Sequence, residues 1–201
     1  MSDKPLSAEL LNRREAIIRV SAVFAGSMVG SSALLSGCAS GDARPVADLF
    51  SLSDIAYLDE IAETILPETG TPGAKAADVG AFISVMVADT YTAAEQDIFL
   101  SGLAALDARC RNANGAGFMS ASIEQRTELL ESLDREQFDY MRESRPGEPV
   151  HYFRMLKELT LTGYFTSEIG YTQAMRYVES PGRFDPCIPY AVGDRAWAPH
   201  A

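Results

Sequence analysis

The chain has 201 residues, of which 47% are hydrophobic, and its 28 acidic against 17 basic residues give a net charge of −11. That balance excludes nucleic acid as a partner, since phosphates would be repelled, and disfavours adsorption to anionic lipid headgroups. Two distant histidines and the two separated cysteines Cys110 and Cys187 give no metal-ligand spacing.

Residues 1–37 read as an export signal. Arg13 and Arg14 precede a weakly apolar run from Val20 to Leu35 that Gly26, Gly30 and several serines interrupt. This run is too short and too rich in glycine to span roughly 30 Å of hydrocarbon, so it is a signal peptide and not a membrane span. An arginine pair ahead of a mildly hydrophobic core marks the twin-arginine route, which carries already folded proteins. Asn12, Ala16 and Arg19 depart from that pattern, and the alternative is an ordinary secretory signal that contains Arg-Arg. Leu35, Ser36, Gly37 and Cys38 resemble a lipobox, which would leave Cys38 as a lipidated N-terminus held at a membrane surface in the periplasm. Plain cleavage near Ala39 is the alternative.

Cleavage before Cys38 removes four basic and three acidic residues, leaving 164 residues with 13 basic and 25 acidic, a net charge of −12. This is enough chain for one domain with a substantial core. Residues 38–52 are expected as a linker and 53–201 as a helical domain with a tail from about 181. Folded export usually serves proteins that take up a cofactor before crossing, yet the sequence has no GxGxxG after a strand pattern, no C-x-x-C-H and no iron–sulfur cysteine series. The chain therefore either has an unrecognised site or escorts a partner that carries the cofactor.

Apolar periodicity predicts helices throughout the domain. Ser53 is placed to cap the first, with Ile55, Leu58, Ala62 and Ile65 on one face and Pro67 at its end. A turn comes next over Thr69–Ala74. The second helix carries Val79, Phe82, Ile83, Met86 and Val87, and Thr92 with Glu95 forms a capping box for the third, whose buried face is Ile98, Phe99, Leu103, Leu106 and Cys110. The fourth starts near Ser120 or Ser122 and uses Ile123, Leu129, Leu130 and Leu133, with Phe138 continuing it. After Pro146–Pro149 a long helical region from about Val150 to Tyr177 holds Phe153, Leu156, Leu159, Leu161, Phe165 and Met175, with Gly163 and Gly170 as points of bending or division. No run alternates with period two, so the fold class is all-α: a multi-helix domain with an extended, proline-rich C-terminal arm.

Cys110, on the Leu103–Leu106 face, reads as a small buried hydrophobe, while Cys187, flanked by Pro186 and Pro189, favours exposure and is the better candidate for a bond to another chain. A bond between the two stays open, because sequence does not assign connectivity. Nothing nominates a catalytic residue: His200 is penultimate, and His151 at a helix start has no nucleophile beside it. Glu60 and Glu63 share a helix face but lack the Glu-x-x-His of a di-iron bundle, and a solvated face is the expectation. Aromatic residues Tyr152, Phe153, Tyr164, Phe165, Tyr171 and Tyr177, then Phe184, Tyr190 and Trp197, divide between core and interface anchors, which favours a binding subunit over a catalyst.

Three blocks carry a specific resemblance: Ala62–Pro67 with Thr71, Pro72, Gly73 and Ala74; Val79–Ile83; and Thr162–Gly170 with Pro181, Gly182 and Cys187. Over most of residues 50–190 the chain resembles the gluconate 2-dehydrogenase subunit 3 family. The resemblance implies a small, non-catalytic subunit without a cofactor of its own. It would partner a large FAD-bearing flavoprotein of the glucose-methanol-choline type, often with a cytochrome c subunit, and supply that partner's export signal and maturation. Cys187 is the residue matched to a disulfide between subunits. Pro72, Gly73, Tyr164, Phe165, Tyr171, Phe184, Tyr190 and Trp197 are the expected partner contacts. A free-standing periplasmic lipoprotein with a binding or scaffolding role is the alternative.

Overall fold

A computed structural model of the chain describes residues 45–180, 182–183 and 187–198. Arg13, Arg14, Cys38 and Phe184 lie outside the described residues. In chain order the helices are α1 (Val46–Leu49), α2 (Leu52–Ile65), α3 (Val79–Thr90), α4 (Ala93–Asn114), α5 (Ile123–Glu143) and α6 (Tyr152–Thr166), with short 3₁₀ turns at Lys75–Ala77 and Phe118–Ser120 and a π-helical turn at Gly170–Ala174. Among the described residues there is no strand, only an isolated bridge between Arg176 and Trp197. The fold is all-α, as the periodicity predicts.

Three helix starts are fixed by reciprocal capping boxes in which a hydroxyl accepts from the N3 amide and the N3 side chain accepts from the cap amide. Thr92 with Glu95 begins α4, Ser122 with Gln125 begins α5, and Ser51 with Asp54 begins α2. The last corrects the expectation of Ser53: two serines compete two residues apart, and only Ser51 has a carboxylate at the third helical position. Within the stretch expected as linker, Val46–Leu49 forms the short helix α1, and α2 starts at Leu52.

The region from Val150 to Tyr177 is divided, but not at Gly163. α6 ends at Thr166, Ser167 breaks the helix, and Gly170 opens the π-turn. Gly163 lies inside α6, where a Cβ would stand 2.6 Å from the Phe82 ring, so glycine permits close approach of α3 and α6.

α6 is the central element, packing against α2, α3, α4 and α5. Phe153, Met155, Leu156, Leu159 and Tyr164 are all buried, together with Leu58 and Ile61 of α2, Ile83 and Val87 of α3, Phe99 and Leu106 of α4, and Leu130 and Leu133 of α5. Each such side chain contributes roughly 1.5–3 kcal/mol by leaving water, so this shared core and not local propensity holds the helices. Cys110 is fully buried within it, as expected of a small hydrophobe. Ile123 and Phe138 depart from the predicted face of α5: they are 73% and 60% exposed.

A buried amide joins two helices. Gln96 places Nε2 within 3.1–3.2 Å of the Val87, Ala88 and Tyr91 carbonyls, satisfying groups at the C-terminal end of α3 that the helix itself leaves unpaired.

Candidate functional site

The turn after α2 is built around Glu63. Its Oε1 accepts from the Glu68 amide and its Oε2 from the Lys75 amide, each at 2.8 Å, so one carboxylate holds both arms of the turn. Gly73 packs against it, and a Cβ at that position would lie 2.2 Å from the Glu63 carboxylate. The Ala74 amide donates back to Leu66 at 2.9 Å, closing the turn onto the end of α2.

One helical turn earlier, Glu60 joins Lys75 and Arg126 in an ion-pair cluster, with Arg126 Nη1 at 2.7 Å. Arg126 also donates from Nε to Phe118 O and from Nη2 to Met119 O, each at 2.8 Å, and its guanidinium stands 5.3 Å from the Phe118 ring centroid. Hydrogen bonding to Lys75, reinforced by Arg126, holds the Glu60 carboxyl below its ordinary range. Glu60 and Glu63 are therefore not a solvated face: both carboxylates are spent on the turn and its neighbours. Asp59 is spent likewise. Its Oδ1 accepts from the Gly80 amide at 2.7 Å, and burial pushes its carboxyl up.

The Pro72 carbonyl accepts from the Tyr164 hydroxyl at 2.7 Å, which brings two of the sequence blocks together across the molecule. The Tyr164 carbonyl in turn organises the end of α6. Ser167 Oγ donates to Tyr164 O at 2.7 Å and accepts from the Gly170 amide at 3.0 Å, and a Cβ on Gly170 would meet Tyr164 O at 2.0 Å. The Thr-Gly-Tyr stretch is thus a tight exit from α6, and no residue other than glycine fits at 170.

Beyond the π-turn the arm closes on itself. The Arg176 amide donates to Ala196 O and the Ala198 amide to Arg176 O, both at 2.8 Å. The Arg176 guanidinium covers the Trp197 ring at 4.7 Å, and Arg195 Nη1 donates to Gln173 O at 2.6 Å. Between these ties Ile188, Tyr190 and Val192 are exposed, and Cys187 is an exposed free thiol.

The residues expected at a partner surface fall into two groups. Gly73 and Tyr164 are buried, and Pro72 is half-buried with its carbonyl engaged, so these three build the domain. Phe165, Tyr190 and Trp197 are exposed, and Tyr171 is half-buried with its ring edge-on to exposed Tyr177 at 5.6 Å. Sequence reasoning missed Arg126 and Arg195, whose side chains bond backbone carbonyls of Phe118, Met119 and Gln173 that carry no side-chain signature.

His151 caps α6 through Nδ1, which accepts from the Phe153 amide at 3.2 Å. Its ring stacks on Tyr152, and Nε2 lies 3.6 Å from Glu136, itself paired with Arg109. That accounts for its partly packed position at a helix start. Among the described residues no group of three or more His, Cys, Asp or Glu side chains could hold a metal ion, and no helix is long and apolar enough to cross a membrane.

The residues singled out in the sequence thus serve mainly the turns of a small all-α domain, with Phe165, Tyr177, Tyr190 and Trp197 left exposed. The chain belongs to the gluconate 2-dehydrogenase subunit 3 family, whose model matches residues 53–182. Membership makes it an accessory subunit of a dehydrogenase complex. No curated protein and no solved structure gives a significant match.

Proposed function

We propose that this protein is the non-catalytic small subunit of a periplasmic sugar or polyol dehydrogenase, and that it exports and matures a large flavoprotein of the glucose-methanol-choline type. The observation that carries this reading is the family match over residues 53–182 downstream of an Arg13-Arg14 signal. An escort needs a folded-export address and a partner surface, and no cofactor of its own. The FAD belongs to the large subunit, and electrons pass from there to an acceptor such as a cytochrome c subunit. The mature chain is tethered to the membrane through a lipid on Cys38, and exposed Cys187 forms the disulfide to the large subunit. An obligate pair of this kind is expected to bury about 2,000 Å² or more.

The test is a tagged pull-down from solubilised envelopes, followed by a flavin absorbance spectrum and non-reducing electrophoresis. A flavin-bearing partner recovered with the chain supports the reading, and a joint band that reduction splits adds Cys187 as the link. The substitution Arg13→Lys with Arg14→Lys should strand the partner in the cytoplasm; its normal export from that strain would sink the escort role. The lipobox at Cys38 favours a second reading, a free-standing lipoprotein, which a colourless, monomeric preparation would select.

A further inference from the structure

We infer that the partner subunit docks on the uncharged face shared by α3 and the C-terminal half of α6, and that it presents there an apolar patch with a basic rim. The inference rests on the accessory-subunit reading and assigns the surface that reading leaves open.

On this strongly acidic chain, charge is unevenly distributed. α3 contains a single charged residue, Asp89, and residues 159–166 of α6 contain none. The two helices pack against each other, with the Phe82 ring of α3 on Gly163 of α6. Beside this contact Val85, three residues after Phe82, is 46% exposed, and Thr162 and Phe165, on either side of Gly163 in the chain, are also exposed. Around this centre stand exposed Asp78, Asp89, Glu158 and Glu168. Glu158 is engaged by Arg154, whereas the other three have no ion-pair partner among the described residues.

A centre free of charge inside a charged rim is the anatomy of a protein interface. Apart from Arg154, which pairs with Glu158, the charges of this rim are acidic, and Asp78, Asp89 and Glu168 decide the occupant. Two copies of this chain meeting here would bring carboxylates face to face, and an anionic bilayer would be repelled in the same way. A partner chain with lysine or arginine around an apolar patch would satisfy both zones. α5 supplies an internal control, because Phe138 is more exposed than Val85 but sits among Arg135, Asp139 and Arg142.

The experiment compares tagged full-length wild type with Val85→Lys and Phe138→Lys, each recovered from envelopes and scored for flavin-bearing partner, with circular dichroism and melting temperature as folding checks. Val85→Lys is expected to recover about tenfold less partner or worse, as for a charge placed in an interface centre, with folding intact. Phe138→Lys is expected to match wild type. Should Val85→Lys fail to fold, Thr162→Lys on the same face carries the comparison. Partner loss confined to Phe138→Lys, or retained binding in both variants, would overturn the assigned face and leave the accessory role standing. A wild-type homodimer dissolved by Val85→Lys would give the face to a second copy and also overturn it. If wild type itself brings down no flavoprotein, the accessory reading fails first.

Discussion

The hydroxyl of Tyr164 donates to the carbonyl of Pro72 at 2.7 Å, joining residues 92 positions apart and tying the turn after α2 to the end of α6. Tyr164 is only 4% exposed and Pro72 is half-buried, so water is a poor substitute at the tyrosine end of the bond. Tyr164→Phe keeps the packed ring and leaves the Pro72 carbonyl without its donor, a change expected to cost about 1–2 kcal/mol. Thermal unfolding should then show a melting point lower by roughly 2–8 °C. An unchanged melting point would mean the bond contributes nothing net.

Gly73 and Gly70 sit in the same turn and should respond oppositely to alanine. At Gly73 the new methyl would force the Glu63 carboxylate away from the two amides it serves, with a loss of about 1–3 kcal/mol. A Cβ on Gly70 meets nothing within 4 Å, and Gly70→Ala should be neutral or stabilise by up to about 1 kcal/mol through the unfolded chain. Urea titration of both variants decides it. Equal effects would show that the Glu63 contact does not set the requirement for glycine.

These contacts show where sequence reading succeeds. Thr92 with Glu95, the buried Cys110 and the alternating apolar faces of α3 and α4 are local, and a one-dimensional pattern records them. Ser53 hides Ser51, because choosing between neighbouring serines requires noticing Asp54 at the right distance. Glu63 looks like one acidic residue among many, since its partners are backbone amides and carry no side-chain signature. The tie from Tyr164 to Pro72 depends on how helices pack, and that from Arg176 to Trp197 on how the arm folds back, neither of which a local period encodes. Phe138 and Ile123 show the converse failure: both fit an apolar pattern, yet α5 turns them to solvent.

Arg126 is mostly buried and bonds two carbonyls and a carboxylate at once, from a fork that lysine lacks. Arg126→Met should destabilise by about 2–4 kcal/mol, since it leaves Glu60 half-paired and the Phe118 and Met119 carbonyls without donors. Arg126→Lys should recover only part of that loss. Denaturant midpoints measured side by side would reveal it, and full recovery by lysine would reduce Arg126 to a point charge.

The same cluster predicts an acid sensitivity. Hydrogen bonding to Lys75 and Arg126 depresses the Glu60 carboxyl in the folded state, so its contribution is fully present above the ordinary glutamate value of 4.5 and is lost as pH falls through the lower folded value. Asp59 acts in the opposite sense. Burial raises its carboxyl, so its protonated form favours folding at low pH, and that contribution fades as pH rises through the raised value. Glu60→Gln should therefore be less stable near neutrality and lose less than wild type on acidification below pH 4.5. Parallel acid profiles for the two proteins would remove Glu60 from the account.

Cys110 and Cys187 make the last test, because burial separates their reactivity. Cys110, on the inner face of α4, is fully buried in the core, with Asn114 Nδ2 3.7 Å from its sulfur, while Cys187 lies exposed in the arm. A thiol reacts as the thiolate and needs access to its reagent, so alkylation of the folded, separated subunit should label Cys187 within the time that leaves Cys110 untouched. Denaturation should then expose Cys110. In the assembled complex the expectation changes: if Cys187 bonds the large subunit, it should be protected until a reductant is added, and peptide mass mapping would place the label. Rapid labelling of Cys187 in the intact complex without reductant would exclude the inter-subunit disulfide, and early labelling of Cys110 would show that α4 opens locally in the native state.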